Sequence, residues 1–155
     1  MRSFFISQPR LLLFGFFTSF FAGFGQTFFI SIFNPEIRNL LNLSDGQFGI
    51  LYSLATLTSA IILIWFGKLI DTIDLRIYTF ITSIGLTGAC IGMFFLTSNL
   101  LILFFIIFSL RFFGQGAMSH AGITTMSRYY TADRGKAISV GTLGDILAMM
   151  TLPII

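Results

Sequence analysis

The chain reads as an all-α integral membrane protein, and three observations carry that reading. The first is solvent preference: 55% of its 155 residues are hydrophobic and only 10% are charged, where a soluble domain is nearer a quarter charged. Its 21 phenylalanines exceed what a core of this size can bury, whereas lipid solvates them. The second is segmentation. Apolar runs near the ~20 residues that span a bilayer cover 11–33, 48–66, 77–97, 100–127 and 137–155, which gives five transmembrane helices. The third is the sidedness of charge. Arg2, Arg10, Lys68, Arg76, Arg128, Arg134 and Lys136 fall on one side of such a stack, Arg38 alone falls on the other, and Arg111 lies within a run. Short loops rich in Lys and Arg stay cytoplasmic. The N-terminus is therefore inside and 34–47 is an external loop.

The first run follows a basic stretch, Met1 to Arg10. It is about twice as long as a signal-peptide core and no A-x-A-like site closes it, so it is a retained helix. Gly15, Ser19, Gly23 and Gln26 align along it at i, i+4, i+8 and i+11, the kind of stripe on which membrane helices approach one another. Gln26 stands out, because an amide in hydrocarbon is costly unless bonded or wetted. In the second run Tyr52, Thr56 and Ser59 fall together, and in the third Gly88-x-x-x-Gly92 permits close backbone contact.

The fourth run holds Arg111 about eleven residues in, near the midplane at 1.5 Å per residue. Gln115, Met118, Ser119, Gly122 and Thr125 follow along its stripe. A midplane arginine costs at least about 2.5–3.5 kcal/mol and so faces a cavity or a partner. His120 projects from the opposite side, towards a hydrogen bond with a neighbouring helix. In the fifth run Ala137, Gly141, Asp145 and Ala148 share a face. Asp145 lies about nine residues from the cytoplasmic end, so it and Arg111 both sit roughly 13–17 Å deep. An unpaired charge there is costly, which makes the two a candidate charge pair or proton site. This run ends with the chain at Ile155, a stopping point that reads as the N-terminal part of a longer protein.

Several function classes fall away. The net charge of +3 comes from single, scattered basic residues, and without a basic patch there is no nucleic-acid partner. Cys90 is alone, so neither an intramolecular disulfide nor a cysteine metal cluster forms. No metal or other cofactor is implied. No G-x-x-x-x-G-K-[ST] loop, H-E-x-x-H or G-x-S-x-G occurs, which argues against ATP-driven transport and against an intramembrane enzyme. Asn42-Leu-Ser44 fits a glycosylation sequon, but its closeness to the membrane argues against its use.

Between the second and third runs lies the polar hairpin Gly67-Lys-Leu-Ile-Asp71-Thr-Ile-Asp74-Leu-Arg76. Charges this close to a bilayer must be held by partners or point into water. Its G-x-L-x-D-x-x-x-x-R spacing resembles the signature loop between the second and third helices of major facilitator superfamily transporters. Thr72 stands where that family usually has a basic residue, and Asp74 where it has a glycine. Arg111-x-x-Gly114-x-Gly116 is similar to the family's fourth-helix arginine–glycine pattern. Arg128-Tyr-Tyr-Thr-Ala-Asp-Arg134-Gly135-Lys-Ala137 looks like the loop that follows that helix. Gly141, Gly144 and Pro153 resemble its fifth helix.

The resemblance implies a twelve-helix fold in two six-helix halves, of which this chain supplies helices one to four and most of five. It implies a multi-pass protein of the plasma membrane, or of the inner membrane if bacterial. Its partners would be the bilayer, a small-molecule substrate, a coupling ion and the missing C-terminal half. It also implies secondary active transport by alternating access along a path lined by Arg111, Gln115, Gln26 and Ser119, and a cationic midplane residue favours an organic anion. Gly67, Asp71, Arg76 and Arg134 would form the conformational lock on the cytoplasmic side, where a carboxylate caps the positive end of a helix and a guanidinium pairs with it. The alternative, drawn from the short length, is a small multi-helix membrane scaffold or partner subunit without transport activity.

Overall fold

The computed structural model describes residues 9–154, so Arg2 and Ile155 lie outside the described residues. Five helical spans long and apolar enough to cross a membrane follow one another: Pro9–Leu41, Asp45–Asp71, Leu75–Phe94, Leu100–Tyr129 and Arg134–Ile154. No strand occurs among the described residues.

Helix starts are set by local chemistry. Ser44 opens the second span with a capping box: its hydroxyl accepts from the Gln47 amide at 3.3 Å, and the Ser44 amide donates to Gln47 Oε1 at 2.9 Å. Two donors that a helix start leaves unpaired are satisfied at once. Asn42 adopts the left-handed conformation that ends the preceding helix, with φ 51°, so Asn42 and Ser44 both have turn-forming roles. Asp74 caps the third span by accepting from the Arg76 amide at 2.7 Å. Asn99 caps the fourth by accepting from the Leu101 and Ile102 amides at 2.9 and 3.3 Å.

The expected external loop 34–47 is largely helix instead. Asn34–Leu41 forms a short helix with Pro35 in its first turn, where a missing N–H costs nothing. Ile37 anchors it in a cluster with Phe48, Ala55, Leu103 and Ile107. Arg38 pairs with Asp45 across the turn.

The first and fourth spans are the most buried and form the centre of the bundle. The fifth lies against the first and against the inner half of the fourth, Ser119–Tyr129. Glycine makes that contact close: a Cβ on Gly144 would stand 3.0 Å from the Phe20 amide nitrogen. The second and third spans pack on the outer half of the fourth. Close approach of the third span occurs at Gly85, where a Cβ would lie 2.6 Å from the Phe113 ring. Of the expected Gly88-x-x-x-Gly92 contact only Gly92 takes part, since a Cβ there would stand 3.3 Å from the Ile106 side chain, whereas one on Gly88 would meet nothing within 4 Å. Phe17, Phe21, Phe80, Phe94, Phe95 and Phe105 are exposed on the bundle's outer surface, as suits side chains that lipid solvates.

Candidate functional site

The first span is not continuous. After Ala22 the backbone tightens into a 3-10 turn at Gly23–Gly25, and Gln26 is extended, with φ −80° and ψ 154°. The fourth span is irregular at the same depth, with a π-helical segment over Leu110–Met118. The two irregularities touch backbone to backbone. A Cβ on Gly25 would stand 2.6 Å from the Gln115 amide nitrogen and 2.8 Å from Gly114 Cα, so only glycine fits on either side. A π-segment inside an α-helix is rare and frequently marks a functional site.

Breaking a helix inside a bilayer leaves carbonyls without amide partners, and something must satisfy them. Arg111 does so: its Nη1 donates to the Gly25 carbonyl at 3.1 Å and to Thr27 Oγ1 at 3.2 Å. Its guanidinium carbon lies 5.4 Å from the centroid of the Tyr52 ring, a cation–π distance. Tyr52 and Thr27 share a hydroxyl–hydroxyl bond of 2.8 Å. One side chain thus joins the first, second and fourth spans.

Arg111 is only 8% exposed, yet no carboxylate pairs with it among the described residues, whose ion pairs are Arg38–Asp45, Asp71–Arg128 and Asp133–Lys136. Its Nε and the Thr56 hydroxyl are buried without hydrogen-bond partners. Both residues line a cleft of about 260 Å³ between the second and fourth spans, together with Ser59, Gln115 and Gly116. The Tyr52, Thr56 and Ser59 stripe therefore faces the Arg111 stripe.

Of the residues expected along the path, Gln115 shares this cleft with Arg111. Gln26 occupies the extended position between Gly25 and Thr27, the two residues that Arg111 holds. Ser119 begins the regular helix beyond the π-segment and its buried hydroxyl has no partner, but it does not line the cleft. Arg111 and Asp145 are not brought together as an ion pair. The fifth span packs on the first span and on Ser119–Tyr129, away from the segment that carries Arg111. Asp145 Oδ1 is left buried without a hydrogen-bond partner. Equal depth was a poor guide because it ignores which neighbour each helix packs on.

At the end that the basic residues assign to the cytoplasm, Asp71 pairs with Arg128 and not with Arg76. The 3-10 turn Gly67–Asp71 carries the carboxylate to the end of the fourth span, where Arg128 also donates to the Ile70 carbonyl at 3.3 Å. The expected hydrogen bond of His120 to a neighbouring helix is present, from Nε2 to the Gly67 carbonyl at 3.3 Å. Arg134 donates to the Ser127 carbonyl at 3.0 Å, tying the loop back to the fourth span. Of the expected lock residues, Gly67, Asp71 and Arg134 bond or pair at that helix end, and Arg76 lines the same cavity as Asp71 and Arg128 without pairing with Asp71. Arg128 takes the place expected for Arg76. Its position in the helix's last turn was the available signal, because cations there complement the free carbonyls. Beside it, burial pushes the Tyr130 phenol above its usual pKa.

Among the described residues no three His, Cys, Asp or Glu side chains gather to hold a metal ion. In comparisons with known proteins, a sequence model of the Major Facilitator Superfamily matches residues 15–155. Neither the curated proteins nor the solved structures searched returned a match.

Proposed function

The chain belongs to the Major Facilitator Superfamily, a family of membrane transporters, and from that premise we propose that it carries a small organic anion by alternating access. The observation that supports this reading is Arg111: a guanidinium buried at mid-span, without a carboxylate partner among the described residues, on the wall of a cleft that also holds Thr56, Ser59 and Gln115. A fixed cation in a low-dielectric site attracts a carboxylate or similar anion strongly, since water screens little there. Gln115, Thr56 and Ser59 supply neutral hydrogen-bonding groups around it. Gln26, at the break, and Ser119, one turn further along the fourth span, extend the polar path.

The cycle is that of a secondary transporter, driven by an ion gradient. Rocking against the second half of the family's twelve-helix fold exposes the cleft to each side in turn. The Asp71–Arg128 pair and the Gly67–His120 bond tie the second span to the fourth within this half on the cytoplasmic side, and they hold the rim that meets the second half in shape as the halves rock. Asp145, whose Oδ1 is buried without a partner and which forms no ion pair among the described residues, is the residue we assign to the coupling proton. The setting is a multi-pass protein of the plasma membrane, or of the inner membrane if bacterial.

The test is uptake by the whole protein in proteoliposomes, with a pH gradient imposed and radiolabelled acetate, lactate or succinate outside. Saturable uptake that collapses with the gradient is expected. Transport of neutral or cationic solutes, with none of any anion, would overturn the anionic reading.

A further inference from the structure

A guanidinium can grip a carboxylate with two parallel N–H bonds, along its side edge, Nε and Nη2, or its end edge, Nη1 and Nη2. Arg111 offers neither edge as it stands. Nε is buried without a hydrogen-bond partner, so no solute reaches the side edge. On the end edge Nη1 is already occupied, donating to the Gly25 carbonyl at 3.1 Å and to Thr27 Oγ1 at 3.2 Å. A carboxylate can take both of its bonds only if the guanidinium leaves the first span.

Gly25 and Thr27 are partners of a kind that an anion can displace. Both are neutral dipoles, whereas a carboxylate brings a full negative charge, whose attraction is large where water is excluded. Thr27 is itself pinned, since its hydroxyl also bonds the Tyr52 hydroxyl at 2.8 Å, and the Tyr52 ring lies 5.4 Å from the guanidinium carbon. Thr27 opens the short helix that follows the extended Gln26. The groups that occupy Nη1 therefore flank the break in the first span. Every contact in this arrangement joins two residues of this chain, so none of it depends on an exposed surface.

We propose that the Gly25 carbonyl and the Thr27 hydroxyl are internal ligands of Arg111, held while the site is empty and displaced when the anion binds. The inference rests on the anionic reading above and adds what holds the cation when no substrate is present. Displacement leaves the Gly25 carbonyl bare, which is costly away from water, so the internal ligands oppose binding and favour release. They return to Nη1 as the anion departs, and the empty carrier keeps its buried charge partnered. By linkage, anion binding and loosening of the first-span break promote each other.

The experiment measures KM and kcat for the whole protein in proteoliposomes, with whichever of acetate, lactate and succinate it takes up best. Thr27→Val, which keeps the shape and removes the hydroxyl, should lower KM about two- to tenfold, the strength of one hydrogen bond. It should lower kcat by a similar factor, because release loses its internal competitor. Thr27→Ser should restore both. Tyr52→Phe keeps the ring over Arg111 and unpins Thr27, so KM should shift in the same direction by less; it is the readout if Thr27→Val fails to fold. A hydroxyl that merely positioned Arg111 for substrate would give the opposite sign. A raised or unchanged KM in these variants would overturn the internal-ligand assignment and leave the anionic reading standing. No uptake of any anion by the unaltered protein would overturn both.

Discussion

Asp71 and Arg128 are 57 positions apart in sequence, yet their side chains form an ion pair at the ends of the second and fourth spans. Both are about half exposed, so water screens the pair and its contribution to folding is small. Its place at the helix ends matters more, because any motion of the second span against the fourth must break it. Asp71→Asn in the whole protein should therefore cut turnover several-fold while leaving substrate affinity within a few-fold. In uptake assays a double-mutant cycle should show coupling between Asp71 and Arg128, and additivity between Asp71 and Arg76. The opposite pattern would restore Arg76 to the lock.

Arg111→Lys should behave as a loss and not as a conservative change. A lysine is a point charge without the planar fork that reaches Gly25 and Thr27 while stacking on Tyr52. Hydrogen bonds to charged groups contribute about 1.5–3 kcal/mol, so uptake should fall roughly 10- to 100-fold. The rate measured in proteoliposomes, with the amount of folded protein held equal, checks this.

Two glycine substitutions should differ sharply. Gly25→Ala forces a methyl group into the backbone of Gly114 and Gln115, where neither side can yield. Its cost should lie at the upper end of the usual ~1–3 kcal/mol for overpacking. Gly88→Ala meets nothing within 4 Å and should leave the melting temperature unchanged within a degree or two. Thermal unfolding in detergent separates the two outcomes.

Arg111 and Asp145 should act independently. With no ion pair between them, the stability effects of Arg111→Gln and Asp145→Asn should add within about 0.3–0.5 kcal/mol. Exchanging the two residues should rescue neither folding nor transport. Rescue by the exchange would show that they meet in another state of the protein.

The spans were legible because their signals are local. Apolar length, one-sided Lys and Arg, and the Ser44, Asp74 and Asn99 caps each act within a turn or two of sequence. The family resemblance was legible for the same reason, since the hairpin and the loop around Arg134 are short motifs. What stayed hidden is tertiary. Gly23-Phe-Gly25 is compatible with an unbroken helix until the π-segment of the fourth span lies against it. Arg111 was recognised as costly, but its partner is a backbone carbonyl, which leaves no mark in the sequence. The Arg111–Asp145 pair failed for the complementary reason: depth can be counted along a helix, whereas the direction a helix faces is set by neighbours such as Gly144 against Phe20.

The bond from Arg111 to the Gly25 carbonyl also imposes an order of events during synthesis. The two residues are 86 positions apart, and at ~5–20 residues per second a ribosome takes roughly 4–17 s to cover that distance. Throughout that interval the first span resides in the bilayer without the guanidinium that completes its break. A bare carbonyl in hydrocarbon is expensive, so the nascent segment enters as an unbroken helix. It opens at Gly25 only when the fourth span docks, so the irregular shape of the mature first span is set by a helix made well after it.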